Sequence, residues 1–365
     1  MAKATPSSGR SRGRPKRSRD DAASMPLEPS LVPRAQPSVT SLHLAPAKTT
    51  AVYDSYWRFA VERQLIFFRR AAGLPRPWTD HPVLATYKFT NAYRASDRVS
   101  QYLIRNVIYR DDLPDSPTEV VFRTLLFKLF NKIETWRLLE HAVGPISYET
   151  YRFSDYDRVL SSAMAKGIRI YSAAYIMPPG GTAFGCSAKH QNHLKLLERM
   201  MADRLPDKLA AARTMQQGFE LLLAYPTIGD FLAYQFITDI NYSQVTDFSE
   251  MEFVVPGPGA RDGLRKCFAD NGGLSDSELI RLMADQQSEE CARLGLEFPS
   301  LWSRPLQLID CQNLFCEVDK FARAVHPGAT ATMADVGMDV VSEIERRGAG
   351  RQVHDVALGR EHVHA

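Results

Sequence analysis

The chain has 365 residues, 44% of them hydrophobic and 24% charged, with a formal net charge of +3 and five cysteines. That length allows one large domain or two smaller ones with a real core. No run of about 18 apolar residues and no apolar N-terminal leader occurs, so neither a transmembrane helix nor a signal peptide is expected.

Cys186, Cys267, Cys291, Cys311 and Cys316 are scattered. They form no disulfide framework, no CxxC zinc pattern and no four-cysteine iron–sulfur loop. No metal and no cofactor is expected, and a reducing intracellular compartment fits. Residues 1–48 hold nine Lys/Arg against three Asp/Glu, which leaves 36 against 39 for the remainder. The body is therefore close to neutral, and any grip on an anionic partner there requires a local patch.

Residues 1–48 contain seven prolines and no Phe, Tyr or Trp. Such a segment cannot bury enough apolar surface to offset its ordering entropy and is expected to be disordered. Within it, Arg12-Gly13-Arg14-Pro15-Lys16 matches the core of an AT-hook. Extended Arg-Gly-Arg-Pro suits the narrow minor groove of A·T-rich DNA, where the potential is most negative. The same run would serve as a nuclear-localisation signal, and a solvated basic tail without a specific partner is the plain alternative.

From Tyr53 the composition changes. Trp57, Ala60, Val61, Leu65 and Phe68 recur at helical spacing up to the break at Gly73 to Pro77. A second helical stretch is predicted through Phe89, Tyr93, Val99, Leu103 and Ile104. It would place Asn91, Arg94, Asp97 and Arg98 on one face, as a solvated surface, a packing salt bridge or a pocket wall. Ser116-Pro117-Thr118-Glu119 reads as a capping box opening a long core helix through Val121, Leu125, Leu129 and Ile133 to Gly144. Another helix starts near Ser154 and Asp157 and stops at Gly167. Ile168 to Met177 fits a short strand or a buried helix equally. Pro178 to Gly185 reads as a loop, without the Gly-Lys-Ser/Thr of a phosphate-binding P-loop.

Helical patterning returns at Gln191–Ala202, Pro206–Ala224 and Ile228–Ile240. Pro256-Gly257-Pro258-Gly259 then reads as a tight hairpin, with glycines free to take positive φ. Its amides would attract phosphate if a helix starts near Arg261; an ordinary turn is the alternative. Ser275 to Glu278 is a second capping box, with Leu279, Ile280 and Met283 inward. The last strong helix, Leu306–Val325, carries Asn313, Glu317 and Lys320 on one face with Asp310 joining them, while Asp319 projects elsewhere. Ionisable groups on a packing helix imply a pocket, a buried network or an interface, a Glu317–Lys320 pair being the simplest. Residues 328–365 are expected to form a flexible tail.

The run Tyr56-Trp57-Arg58-Phe59, Glu62-Arg63, Arg69-Arg70, Pro77-Trp78-Thr79, Lys88-Phe89-Thr90-Asn91, Tyr93-Arg94 and Asp97-Arg98 resembles the helical domain of 5-hydroxymethyluracil DNA kinases. A similar domain occurs in the related α-glutamyl/putrescinyl-thymine pyrophosphorylases. The resemblance continues through Asp239-Ile240-Asn241, Pro256 to Gly259, Asp310 to Asn313 and Glu317 to Lys320, covers roughly residues 50–326, and implies a helical domain over residues 49–327. It implies an all-α, helix–hairpin–helix DNA glycosylase-like domain. In such a domain the hairpin grips the DNA backbone, the target base is flipped out, and a carboxylate on a later helix serves the chemistry.

Carried over by the resemblance, Gly257, Gly259 and Arg261 contact DNA, and the AT-hook-like motif adds Arg12, Gly13, Arg14, Pro15 and Lys16 of the tail as expected DNA contacts. Arg94, Asp97, Asp239 and Asn313 line a substrate pocket, and Asp310 is the catalytic carboxylate, with Glu317 and Asp319 as competitors. The lysine of lyase-type glycosylases is replaced by Arg261, which puts imine chemistry in doubt. The implied function is action on a flipped 5-hydroxymethyluracil-type pyrimidine, as a glycosylase-like enzyme or a base-hypermodification transferase. The alternative is a non-catalytic DNA-binding module that positions a partner enzyme. Expected partners are duplex DNA with a modified thymine or uracil and a separate kinase or dioxygenase, without a membrane. The basic tail fits the nucleus or a chromosome-associated place in a bacterial cytoplasm.

Overall fold

The computed structural model describes residues 46–173 and 177–327. It is all-α: helices α1 (Ala51–Ala71), α2 (Pro82–Thr86), α3 (Arg98–Leu103), α4 (Pro117–Phe130), α5 (Ile133–Val143), α6 (Phe153–Ala165) and α7 (Gly181–Phe184) are followed by α8 (Lys189–Ala202), α9 (Leu205–Ala211), α10 (Met215–Leu223), α11 (Asp230–Ile240), α12 (Pro258–Cys267), α13 (Asp276–Arg293) and α14 (Leu308–Val325). Among the described residues the one sheet is two-stranded, pairing β1 (Lys48–Thr49) antiparallel with β2 (Phe268–Asp270). Lys48, the last residue of the segment expected to be disordered, thus belongs to the body. The AT-hook-like Arg12 to Lys16 and the C-terminal tail from 328 lie outside the described residues. No helix among these is long and apolar enough to cross a membrane.

Burial follows the apolar periodicity. Tyr56, Trp57, Phe59 and Ala60 of α1 meet Phe315, Val318 and Phe321 of α14 in one core that continues through Phe122 and Leu125 of α4 to Phe236 and Ile237 of α11. Thr50 starts α1 by accepting from the Val52 N–H at 3.1 Å, and its own hydroxyl donates to the Lys266 carbonyl at 2.5 Å. This ties the head of α1 to the tail of α12.

The structure corrects several boundaries. The long helix expected from Val121 to Gly144 breaks at Asn131, whose φ of 47° is left-handed and ends α4. The Asn131 amide oxygen accepts from Lys128 Nζ at 2.8 Å, a local bond that favours this turn over helix continuation. The stretch 206–224 divides where Thr214 caps α10 by accepting from the Gln217 N–H. Ser116 does cap α4, but Glu119 does not reach back. It accepts instead from Ser147 Oγ (3.0 Å) and from the N–H groups of Tyr148 (2.8 Å) and Glu149 (3.1 Å), anchoring the α5–α6 connection. The loop at residues 178–185 includes the single turn α7, and residues 168–173 are neither strand nor helix.

The largest correction concerns Pro256 to Gly259. Residues 241–257 separate α11 from α12, and neither Gly257 nor Gly259 has positive φ. Gly257 is an extended N-cap (φ −72°, ψ 168°) followed by Pro258 at the first helical position. The stretch is an entry into α12 rather than a tight hairpin. Its glycines are required by proximity. A Cβ on Gly257 would lie 2.8 Å from the Phe231 ring, on Gly259 2.6 Å from Cys316 Sγ, and on Gly263 2.1 Å from the Phe315 carbonyl oxygen. Gly259 and Gly263, one turn apart, therefore let α12 lie directly on α14.

Candidate functional site

Between α2 and α3 the chain crosses the core as a loop, residues 89–97, closed by one 3₁₀ turn at Arg94–Ser96. Asn91, Arg94, Asp97 and Arg98 consequently do not share a helix face as predicted. A buried loop leaves backbone polar groups without helical partners, and here side chains from neighbouring helices supply them. Arg63 of α1 donates to the carbonyls of Thr90 and Phe89, both at 3.0 Å, and to Asn91 Oδ1 at 3.3 Å. Glu317 of α14 accepts from the Thr90 N–H at 3.2 Å. Asp97 closes the loop on itself by accepting from the Asn91 N–H at 2.8 Å.

Arg94 joins this loop to two helices. Its backbone N–H donates to Asp310 Oδ1 at 2.8 Å. Its guanidinium reaches α11, donating to Gln235 Oε1 (3.2 Å) and Asp239 Oδ1 (2.7 Å), and to the Tyr242 hydroxyl (3.0 Å). The other Asp239 oxygen lies 3.0 Å from Lys128 Nζ of α4. Gln235 in turn donates to Gln312 of α14 at 3.4 Å. Arg94, Lys128, Asp239 and Asp310 are all buried, at 3%, 4%, 1% and 4% exposure, which sets them in a low-dielectric centre where α4, α11 and α14 converge.

Burial raises the proton affinity of two carboxylates here. Asp310 is pushed up to about 7, despite accepting from the N–H groups of Gln307 and Arg94. Asp97 is pushed up to about 6 by burial, with neighbouring Glu317 adding to the effect. Burial also opposes ionisation of Asp239, but Arg94 and Lys128 outweigh it and hold that carboxyl below the ordinary range. Asp310 occupies the third position of α14, where its second oxygen accepts from the Gln307 N–H at 2.9 Å. Chemically, a carboxyl that exchanges its proton near neutrality is a candidate general acid or base.

The remaining predicted residues separate. Glu317 pairs with Lys320 at 2.7 Å on the loop side of α14, with Asn313 half-buried one turn earlier. Asp319 faces α12, where it pairs with buried Lys266 at 2.7 Å and lies 3.5 Å from Arg323. Arg261 is exposed near the start of α12, 3.8 Å from Asp276, and Pro258 beside it is exposed as well. Gly257 is buried, and Gly259 is half-buried. A cleft of about 680 Å³ opens elsewhere, over Thr50, Tyr53, Phe268 and Arg293, and no candidate residue lines it. Among the described residues no cluster of three or more His, Cys, Asp or Glu could hold a metal ion.

Lys128, Gln235 and Lys266 were not singled out in the sequence, and Arg63 and Gln312, although within the motifs of the resemblance, were given no site role. The available signal was a cation or amide inside an apolar stripe, as with Lys128 in Leu125-Leu126-Phe127-Lys128-Leu129-Phe130. A second polar cluster was missed as well. Asp157, read only as part of a helix start, accepts from Gln191 and lies 2.8 Å from His190 Nε2, which Ser161 Oγ approaches to 3.0 Å.

Comparison with known proteins yields two similarities. A family model described as the helical domain of 5-hmdU DNA kinase matches residues 50–331. The 5-hmdU DNA kinase of Bacillus phage SP10 is 28% identical over 297 residues, which cover 76% of this chain and 46% of that protein. The chain thus spans about half the length of this curated relative. No solved structure matches.

Proposed function

The chain belongs to the family of the 5-hmdU DNA kinase helical domain, and on that premise we propose that it binds DNA carrying a 5-hydroxymethyluracil-type pyrimidine and positions that base for chemistry supplied by another domain or protein. The observation that carries this reading is that each candidate carboxylate is engaged from within. Arg94 and Lys128 hold Asp239, Lys266 holds Asp319, Lys320 and the Thr90 N–H hold Glu317, and two backbone N–H groups hold Asp310. Such engagement suits a rigid recognition scaffold. DNA backbone contact is assigned to Arg261 and the amides opening α12, with Arg12 to Lys16 of the tail adding a minor-groove contact. Phosphotransfer is assigned to a separate kinase, because the sequence contains no GxxxxGK[ST] loop. The phage source of the relative favours a bacterial setting over the nucleus.

A second reading is supported by Asp310 alone, whose carboxyl is pushed up to about 7. In it Asp310 is the acid or base of a glycosylase-like or transferase reaction on the flipped base, lined by Arg94, Asp97, Asp239 and Asn313. One experiment decides between them. The protein is incubated with duplexes bearing 5-hydroxymethyluracil or 5-phosphomethyluracil, with and without amine donors, and the DNA is digested to nucleosides. Binding without nucleoside conversion supports the first reading. Conversion that Asp310→Asn abolishes with binding intact supports the second.

A further inference from the structure

Trp302 is the most exposed large apolar side chain among the described residues, at 93%, whereas the next, Leu74, reaches 51%. It sits at the tip of a four-residue turn, residues 301–304, closed by an Arg304 N–H to Leu301 carbonyl bond of 2.9 Å. Both central residues are left-handed, Trp302 at φ 51° and Ser303 at φ 57°. Asn-Gly is the pair that takes this backbone without strain, and a tryptophan in it is an outlier. Neither burial nor local conformational preference explains an indole at this place.

The turn is nevertheless held firmly. The Tyr93 hydroxyl donates to the Arg304 carbonyl and accepts from the Leu301 N–H at 3.4 Å, and Arg304 forms an ion pair with Glu250. Tyr93 is 4% exposed and immediately precedes Arg94, whose N–H binds Asp310. A single residue therefore connects the Trp302 turn to the buried polar centre. A strained, rigidly presented, fully solvated aromatic is an arrangement in which the side chain meets its partner outside the protein.

We propose that Trp302 is a base-stacking residue, which packs its indole against a nucleobase of bound DNA next to the Asp310 end of α14. A nucleobase fits better than an apolar protein surface because Ser303 and Arg304 are the exposed neighbours of the indole and no other large exposed apolar side chain lies in the turn. A protein-interface anchor sits instead within an apolar, water-excluding ring. Stacking on a π-face tolerates any base, so Trp302 contributes affinity and the reading of the modified pyrimidine lies elsewhere. The inference rests on the DNA-binding reading proposed above.

The test uses the full chain and a fluorescein-labelled duplex with one 5-hydroxymethyluracil, read by anisotropy and by tryptophan emission. Trp57 and Trp136 are buried at 0% and 2% and Trp78 is half-buried, so only the part of the emission change that Trp302→Ala removes is assigned to Trp302. Expected are quenching of emission on binding, a roughly 5- to 150-fold loss of affinity in Trp302→Ala, and retention of most of it in Trp302→Tyr. Trp302→Gly should lose the same affinity while its Tm stays level or rises, since glycine relieves the left-handed strain. Wild-type binding with unchanged affinity and quenching in Trp302→Ala overturns the stacking role and leaves the DNA-binding reading standing. Absence of DNA binding by the wild-type protein overturns both. Loss of self-association in Trp302→Ala with DNA affinity intact makes the indole a protein contact and also overturns the proposal.

Discussion

Arg94 and Asp310 meet through the backbone: the Arg94 N–H donates to Asp310 Oδ1 at 2.8 Å, while the guanidinium runs to Asp239 at 2.7 Å. One residue thereby fixes the N-terminus of α14 relative to α11. Asp310 is held by two backbone N–H groups in this arrangement, and burial dominates its proton affinity. Asp239, almost equally buried, receives two cations and stays ionised.

Asp310 makes stability depend on pH. Its folded-state value of about 7 lies above the ordinary carboxylate value of 3.8, so between these limits the folded state binds more protons than the unfolded chain. The contribution of Asp310 to stability then falls as pH rises from about 4 to 7, by an amount on the order of a few kcal/mol. Asp97, pushed up to about 6, adds a smaller loss over the lower part of the same range. In Asp310→Asn the fall between pH 6 and 8 should vanish, while below pH 6 the Asp97 loss is opposed by His193, which burial pushes down to about 4 and whose contribution rises with pH. Thermal melts from pH 5 to 8 check this, and equal slopes in both proteins would contradict the assignment.

Asp239 neutralises two buried cations, Arg94 and Lys128. Asp239→Ala leaves Arg94 and Lys128 buried without their carboxylate and should cost about 3–5 kcal/mol. Removing one cation as well, in Asp239→Ala/Lys128→Met, should recover part of that loss. Urea unfolding of the single and double variants measures the difference.

The two α12 glycines differ in what a methyl group would strike. At Gly263 it meets the Phe315 backbone oxygen at 2.1 Å, which cannot yield without parting α12 from α14. At Gly259 it meets Cys316 Sγ at 2.6 Å, the end of a side chain. Gly263→Ala should therefore destabilise by several kcal/mol, and Gly259→Ala by about 1–3 kcal/mol. Cys316→Ala should rescue Gly259→Ala and leave Gly263→Ala unchanged. Chemical denaturation of these variants provides the test.

Much of the helical framework was legible because apolar period and caps agree, as with Ser275 and Glu278 and the inward Leu279, Ile280 and Met283. The family resemblance was legible over roughly residues 50–326, most of the stretch 50–331 that the family model matches. What escaped were features set by long-range partners. Asn131 ends a helix in favour of a bond to Lys128, and Glu119 serves a loop 28 residues away rather than its own cap. Gly257 and Gly259 are needed for proximity to Phe231 and Cys316, which a local reading took for turn conformation. The candidate site was half visible. Arg94, Asp97, Asp239 and Asp310 were singled out, but their linkage needed Arg63, quoted only as part of a motif, and Lys128 and Gln235, each hidden within a helix that reads as core.

Recognition of a modified pyrimidine in DNA is measured by binding. Anisotropy titrations compare two duplexes that differ only in one 5-hydroxymethyluracil or thymine, at 50 and 200 mM salt. The modified duplex should bind more tightly at both salt concentrations. Affinity for both duplexes should fall as salt rises, and Arg261→Glu should weaken both about equally, as expected for a phosphate contact. Equal affinity for the two duplexes, or no binding at 50 mM salt, would contradict such recognition.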